Sequence, residues 1–294
     1  MPDFEDHAEP VTNSQIPPPS TEDVTSEVVV DVPAPRAEIE DLLRDHEGRL
    51  GDVFRLSEQG LEPDQIAEAL DVATSNFVYT YRYQSQAALD GKPTAGSVMR
   101  RQAVGALNTL IKLGRGRLSP DAMALLKSNL ARVEASEDEA DPVAAAEADS
   151  KEQFEAATTL GELAGVAGIY AFSYGWYLES LVDSGRGNTL IKVGRASDIA
   201  NRIKQHTAGA RTHMPEPLAL VRAYEAGRDE LHAIEKHFHE LLETAGHFNP
   251  RRTGKSTSEV GKEWFLTNED FLDSIAKALR LRTLYIGQSE FSSE

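Results

Sequence analysis

The chain has 294 residues and 40 % apolar content, enough for one or two domains with hydrophobic cores, and carries a net charge of −18. That charge is unevenly placed: residues 1–35 hold eight acids and no Lys or Arg, and 134–155 hold nine acids against Lys151 alone, whereas 168–285 carries sixteen basic against fifteen acidic residues. The acidity therefore excludes no polyanionic partner, while the lack of cysteine excludes disulfide frameworks, thiolate zinc sites and thiol nucleophiles and fits a cytoplasmic chain.

Residues 1–35, rich in Pro, Ser, Thr and acids, have little to bury and read as a disordered acidic tail without the basic and apolar segments of a secretory signal. Residues 36–133 read as a helical domain. Within it, QGLEPDQIAEALDVATSNFVYTYRY predicts a helix from Pro63 to Leu70, a short turn, and a second helix opened by Thr74 or Ser75. Ile66, Ala67, Leu70, Val72 and Val78 have the spacing of an apolar knot between two short helices. The pair resembles a helix-turn-helix that would present Asn76, Tyr79, Arg82 and Tyr83 to a groove, although Asp71 stands where a glycine is usual. The alternative is a helical scaffold with no nucleic-acid role. Further helices are predicted from Ser97 and from Ser119–Pro120, a cap followed by proline at the first helical position. Residues 134–155 then read as an acidic linker whose alanines permit some helix.

From 156 to 285 the pattern changes. The run LAGVAGIYAFSYGWYL (163–178) is short for a membrane span and reads as a buried strand with its approach. Strands are expected at GIYAFSY (168–174), TLIKVG and PLALVRAYEA, and a capped helix at SDIANRIKQHTAG. A longer helix carries Leu231, Ile234, Phe238, Leu241 and Leu242 as an apolar stripe stopped at Gly246. After the basic loop HFNPRRTGKSTSEVGK, the stretch EWFLTNEDFLDSIAKALRL gives a short strand and a helix, and 286–294 reads as a tail. The class is α+β: a small C-terminal unit with a two- or three-stranded sheet flanked by helices, preceded by an all-α domain and acidic segments.

GIY at 168–170, KVG at 192–194, Arg202 and His206 on the next helix, Glu235 on the later one and EWF at 263–265 resemble the GIY-YIG nuclease superfamily. They are closest to its phage-type branch, often described as a DNA-binding domain. The resemblance covers about residues 165–283. It implies a DNA-binding endonuclease that hydrolyses phosphodiester bonds with one divalent metal, Mg2+ or Mn2+, per site, and it allows a homodimer. A catalytically inactive DNA-binding or regulatory module of the same fold is the alternative. Gly168, Gly194, His239 and Trp264 belong to the motif positions.

The residue types suit the chemistry the resemblance implies, which needs a proton acceptor for water, a cation facing the phosphorane and a metal at the leaving oxygen. Tyr170 is the candidate base or water-positioner. Lys192 stands where the family has a second tyrosine, and an ammonium beside the Tyr170 oxygen would favour the phenolate. Arg202 would face the phosphate with its planar fork, with His206 one turn on along the same helical face. Glu235 is the expected metal carboxylate and Glu263 the second choice, although Glu263 could merely orient the core anchors Trp264 and Phe265. The spacing of His232, Glu235 and His239 also suggests a metal cluster, but is not that of a zinc hydrolase. Arg195, Arg211, Arg251, Arg252 and Lys255 are the expected DNA contacts. Between Tyr170 and Lys192 lie 21 residues, a longer interval than the family pattern, read here as a polar surface loop around WYLESLVDSGRGN.

Overall fold

The computed structural model describes residues 34–136, 142–210, 216–252 and 261–291. The expected acidic tail lies outside them as far as residue 33.

Six helices make the N-terminal part: α1 (Pro35–Arg44), α2 (Arg49–Glu58), α3 (Pro63–Ala69), α4 (Asn76–Asp90), α5 (Ser97–Leu113) and α6 (Pro120–Ala135). Each buries one face of an amphipathic pattern. Ile39, Leu42 and Leu43 of α1 meet Ala87 and Ala88 of α4, Leu107 and Leu110 of α5 and Leu126 of α6 in one core. The caps are those the sequence announces: the Ser119 hydroxyl accepts from Ala122 N at 3.2 Å, and α4 stops at Gly91, whose φ of 61° a glycine adopts without penalty.

The helix-turn-helix expectation is corrected in one respect. The turn between α3 and α4 is made by Asp71 with φ 53°, filling the glycine's place with a left-handed Asp. But α4 is a core helix. Tyr83 is buried and its hydroxyl donates to Lys92 O, while Arg82 donates to Leu61 O and Ser57 Oγ. Only Asn76 and Tyr79 of the four proposed groove residues are exposed. Side chains needed to hold the bundle together are not available to read a groove.

The expected acidic linker also differs. Most of it forms α7 (Pro142–Glu162), which buries Ala156 and Thr159. The alanines give it helical propensity, and Ala156, Leu160 and Leu163 lie on one face that meets the sheet. Charge dominates its composition, yet most of its charges face outward; Glu152, half-buried, instead accepts from Met99 N at the start of α5.

The sheet has five antiparallel strands, more than the two or three expected. Following β1 (Gly168–Tyr174) come a short helix α8 (Gly175–Glu179), β2 (Thr189–Ala196), α9 (Ile199–Ala210), β3 (Leu218–Glu225), α10 (Leu231–Thr244), β4 (Trp264–Thr267), α11 (Glu269–Ala278) and β5 (Thr283–Phe291), in the order β4-β2-β1-β3-β5. β5 occupies most of what reads as a tail, because its second half, Gly287–Glu290, is polar, and its pairing with β3 is not local. Its Ile286 and the bridge from Val72 to Thr283 tie the α3–α4 corner to the sheet.

Alternation along β1 sends its residues to two sides. Ile169 and Ala171 join Ile191, Val193 and Val221 beneath α10 and α11. Tyr170 and Phe172 join Leu218 and Leu220 on the side of α7 and α9. A buried ion cluster fastens α11: Arg222 of β3, fully buried, donates to Glu269 Oε2 at 2.8 Å and Asp273 Oδ1 at 3.1 Å, and the Tyr224 hydroxyl donates to the same Asp273 oxygen at 2.8 Å. Among the described residues, no helix is long and apolar enough to cross a membrane.

Candidate functional site

The register of β1 against β2 places Tyr170 opposite Gly194 and Phe172 opposite Lys192. A Cβ at Gly194 would lie 2.7 Å from the Tyr170 hydroxyl and 2.9 Å from its ring carbon. The glycine is thus the notch into which the tyrosine lies. Gly168 answers a different need, since a Cβ there would meet the Tyr224 carbonyl oxygen at 2.0 Å. Both motif glycines mark close approaches.

Helix α9 brings the remaining groups over this corner. Asp198, in the SD that opens the expected capped helix, accepts from Asn201 N at 2.9 Å and fixes where the helix starts. His206 then reaches the Tyr170 oxygen with Nε2 at 2.9 Å, and its ring lies 5.1 Å from that of Phe172. Arg202, one turn earlier and exposed, donates to Gln205 Oε1 at 3.1 Å.

The electrostatics of the pair follow from these neighbours. Burial pushes the Tyr170 phenol above its ordinary value; the Arg202 guanidinium beside its hydroxyl opposes that, and Glu263 and Glu235 add to it. Burial also lowers His206, reinforced by the Lys192 and Arg202 cations against Glu263, to about 4. At neutral pH both groups are uncharged. A neutral imidazole accepting the phenol's proton at Nε2 satisfies both, with the ring proton assigned to Nδ1 from this contact.

Lys192 does not act as expected. It faces Phe172 across the strand pair, its Nζ 5.7 Å from that ring, and it pairs with Glu263 Oε2 at 3.1 Å. The antiparallel register sets it two residues from the position opposite Tyr170, so its cation acts on His206 and not on the phenol. Glu263, at the start of β4, is correspondingly engaged with Lys192, and its carbonyl accepts from Val193 N at 2.9 Å.

Glu235 of α10 has a side chain only 15 % exposed and its Oε2 accepts from Arg195 Nε at 2.7 Å; Arg195 is exposed and lies opposite Ile169, one residue on from Gly194 along β2. His239 is turned inward: its Nε2 meets the Val193 carbonyl at 3.0 Å and its ring lies 4.9 Å from Phe265. That contact takes it out of the His232–Glu235–His239 grouping, and no group of three His, Asp or Glu able to hold a metal occurs among the described residues. A single carboxylate nevertheless suits magnesium, which keeps several waters and completes its shell with phosphate oxygens. Glu235 fits that requirement if Arg195 turns away.

Of the other expected DNA contacts, Arg251 is exposed and donates to the Tyr177 hydroxyl at 3.2 Å, and Arg252 lies 3.9 Å from Glu243. Arg211 and Lys255 are outside the described residues.

Sequence reasoning missed an aromatic row. Tyr170 and Phe172 stack with centroids 6.1 Å apart; Trp264 contacts Phe172 at 5.6 Å and Tyr174 at 5.7 Å, and Trp176 and Tyr177 of α8 continue the row. The signal was present in GIYAFSY, where aromatics recur at every second residue, and in the GWY that follows.

Residues 169–280 match the family described as the T5orf172 domain. This is a phage-associated domain found in the context of GIY-YIG and HNH-like endonucleases, and the match is not to the GIY-YIG family itself. No curated protein and no solved structure matches the chain.

Proposed function

We propose that the corner formed by β1, β2, α9 and α10 is the phosphodiesterase site of an endonuclease acting on DNA. The observation that carries this reading is the Tyr170–His206 contact at 2.9 Å with Arg202 beside it. The phage-associated T5orf172 match over the same residues supports the class.

The chain's own groups divide the work. A water held by the Tyr170 oxygen attacks phosphorus; its proton passes to that oxygen as the phenol's proton passes to His206 Nε2, so no free phenolate forms. Incoming phosphate charge raises the depressed imidazole toward the range where it can hold that proton. Arg202, exposed and held only by Gln205 on its own helix, turns its planar fork to the phosphorane oxygens as their charge grows. Glu235 would hold a divalent metal, which when bound supplies positive charge at the leaving oxygen. As the bond from phosphorus to the leaving oxygen breaks, that oxygen takes a proton from solvent and His206 returns its own there, so each turnover is proton-neutral.

The non-catalytic reading has one observation in its favour: Glu235 is engaged by Arg195 and Lys192 by Glu263. It predicts salt-dependent DNA binding without product. Incubation with supercoiled plasmid with and without Mg2+ or Mn2+ separates the two. Nicking abolished by Arg202→Ala and by Glu235→Gln is expected; no nicking with either metal, or nicking that both variants retain, overturns the catalytic proposal.

A further inference from the structure

We propose that Trp176 and Tyr177 of α8, with Arg251, form a stacking subsite for an unpaired DNA base in the strand that enters the phosphodiesterase site. This rests on the nuclease reading above and adds a substrate preference to it: DNA with a single-stranded segment beside the cleaved bond.

Four observations converge on it. First, the aromatic row is continuous with the site, running from Tyr170 through Phe172 and Tyr174 to Trp176 with each successive centroid 6.1 Å from the last. Tyr170 and Tyr174 are four residues apart on a strand, about 13 Å, which matches about four phosphate spacings of a stacked strand. Second, the row emerges into solvent. Tyr170 and Phe172 are buried, whereas Trp176 at the far end is 38 % exposed, although a large aromatic gains most from being covered.

Third, a cation is fixed beside this ring: Tyr177 stands edge to face with Trp176, 5.9 Å away at 81°, so Trp176 offers the stacking face of the plate and Tyr177 carries the charge. The Arg251 guanidinium lies 5.9 Å from the Tyr177 ring centroid and donates to its hydroxyl at 3.2 Å. A guanidinium beside exposed rings gives a strand both of its needs, a phosphate partner and a face to stack on. Base pairing would bury that face in the duplex stack, so the ligand must be unpaired. Fourth, the plate is held rigidly. Leu178 is buried in the sheet core, the Thr189 hydroxyl donates to Tyr177 O at 2.5 Å, and Trp264 backs Tyr177 at 6.4 Å. The long interval between the first two motif strands is therefore not only a surface loop, since it delivers this plate.

The test uses the full chain, two fluorescent DNA probes and no metal. One probe is a blunt duplex; the other is the same duplex with a single-stranded tail carrying 2-aminopurine. The tailed probe is expected to bind more tightly and its 2-aminopurine to be quenched by stacking. Trp176→Ala should weaken tailed-probe binding by roughly 5- to 100-fold, remove the quench and leave the blunt probe's affinity as it was, with Trp176→Phe restoring most of both. Thermal melts establish that both variants are folded. Equal affinity for the two probes, or a quench that survives Trp176→Ala, overturns the subsite and leaves the nuclease reading standing. Failure to bind either probe overturns both, and tighter binding of a third probe, the same duplex with an RNA tail, overturns the assignment to DNA.

Discussion

Gly194→Ala isolates the geometry of the site from its chemistry, because it adds one methyl group and changes no titratable residue. The methyl would sit 2.7 Å from the Tyr170 hydroxyl and 2.9 Å from the ring carbon that bears it. Ordinary contact begins near 3.4 Å, so the end of the ring must move by about 0.7 Å. The ring has little room, being buried and stacked parallel to Phe172. The displacement falls on the contact to His206, and a misplacement of about 1 Å in a catalytic group can cost about 100-fold in rate. Overpacking of this kind costs about 1–3 kcal/mol of stability. Plasmid nicking and urea unfolding should therefore show activity lost by about 100-fold in a protein that remains folded. Adding Tyr170→Phe removes the closest atom and should recover part of the stability but none of the activity. Wild-type nicking by Gly194→Ala would refute both the notch and the role of the Tyr170–His206 pair.

Three further predictions follow from the charges. Arg195→Ala frees Glu235; since a partly exposed pair contributes at most about 1 kcal/mol, Mn2+ should bind up to about five-fold tighter by calorimetry, and unchanged or weaker binding would count against Glu235 as the metal carboxylate. His206 titrates near 4 when folded and near 6.5 when unfolded, so the unfolded chain takes up its proton first as pH falls. The stability from the neutral imidazole is whole above about pH 6.5 and is lost as pH drops toward 4, on the order of 1 kcal/mol given its partial exposure. His206→Gln should flatten the fall in melting temperature over that window, and parallel slopes would contradict it. Arg222→Met leaves Glu269 without its buried counter-charge and Asp273 with Arg49 alone, at 3.4 Å, and should cost about 3–5 kcal/mol in chemical denaturation, with a near-neutral result refuting the cluster's role in fastening α11.

What was legible in the sequence is what local pattern determines. The strands at 168–174 and 189–196, the cap at Ser119 and the stripe from Leu231 to Leu242 all lie where periodicity and caps put them, because each is decided within a few residues. β5 was not legible, since Gln288, Ser289 and Glu290 read as tail until β3 supplies a partner more than sixty residues away. The acidic linker misled for a similar reason: its charge count conceals that Ala156, Leu160 and Leu163 share one face. In the site, Tyr170, Arg202, His206 and Glu235 were nominated by the family resemblance of the motifs that carry them, but their partners could not be. Register alone decides that Lys192 meets Phe172 and Glu263, and only the fold brings Arg195 to Glu235.

On the proposed nuclease reading, those partners bear on how the site would accept a polyanion. At rest its cations are matched, Arg195 to Glu235 and Lys192 to Glu263, while Arg202 leans on the neutral Gln205. The matched pairs are at the solvent boundary, where each is worth at most about 1 kcal/mol and salt weakens it further. A phosphate arriving over Tyr170 would meet Arg202, which could turn to it at almost no electrostatic cost, and would compete with Glu263 for Lys192 and with Glu235 for Arg195. Glu235, once released by Arg195, is then an unpaired carboxylate beside a bound phosphate, a combination unfavourable by itself and relieved by a divalent cation. Substrate and metal should consequently bind with positive coupling, each tighter in the presence of the other.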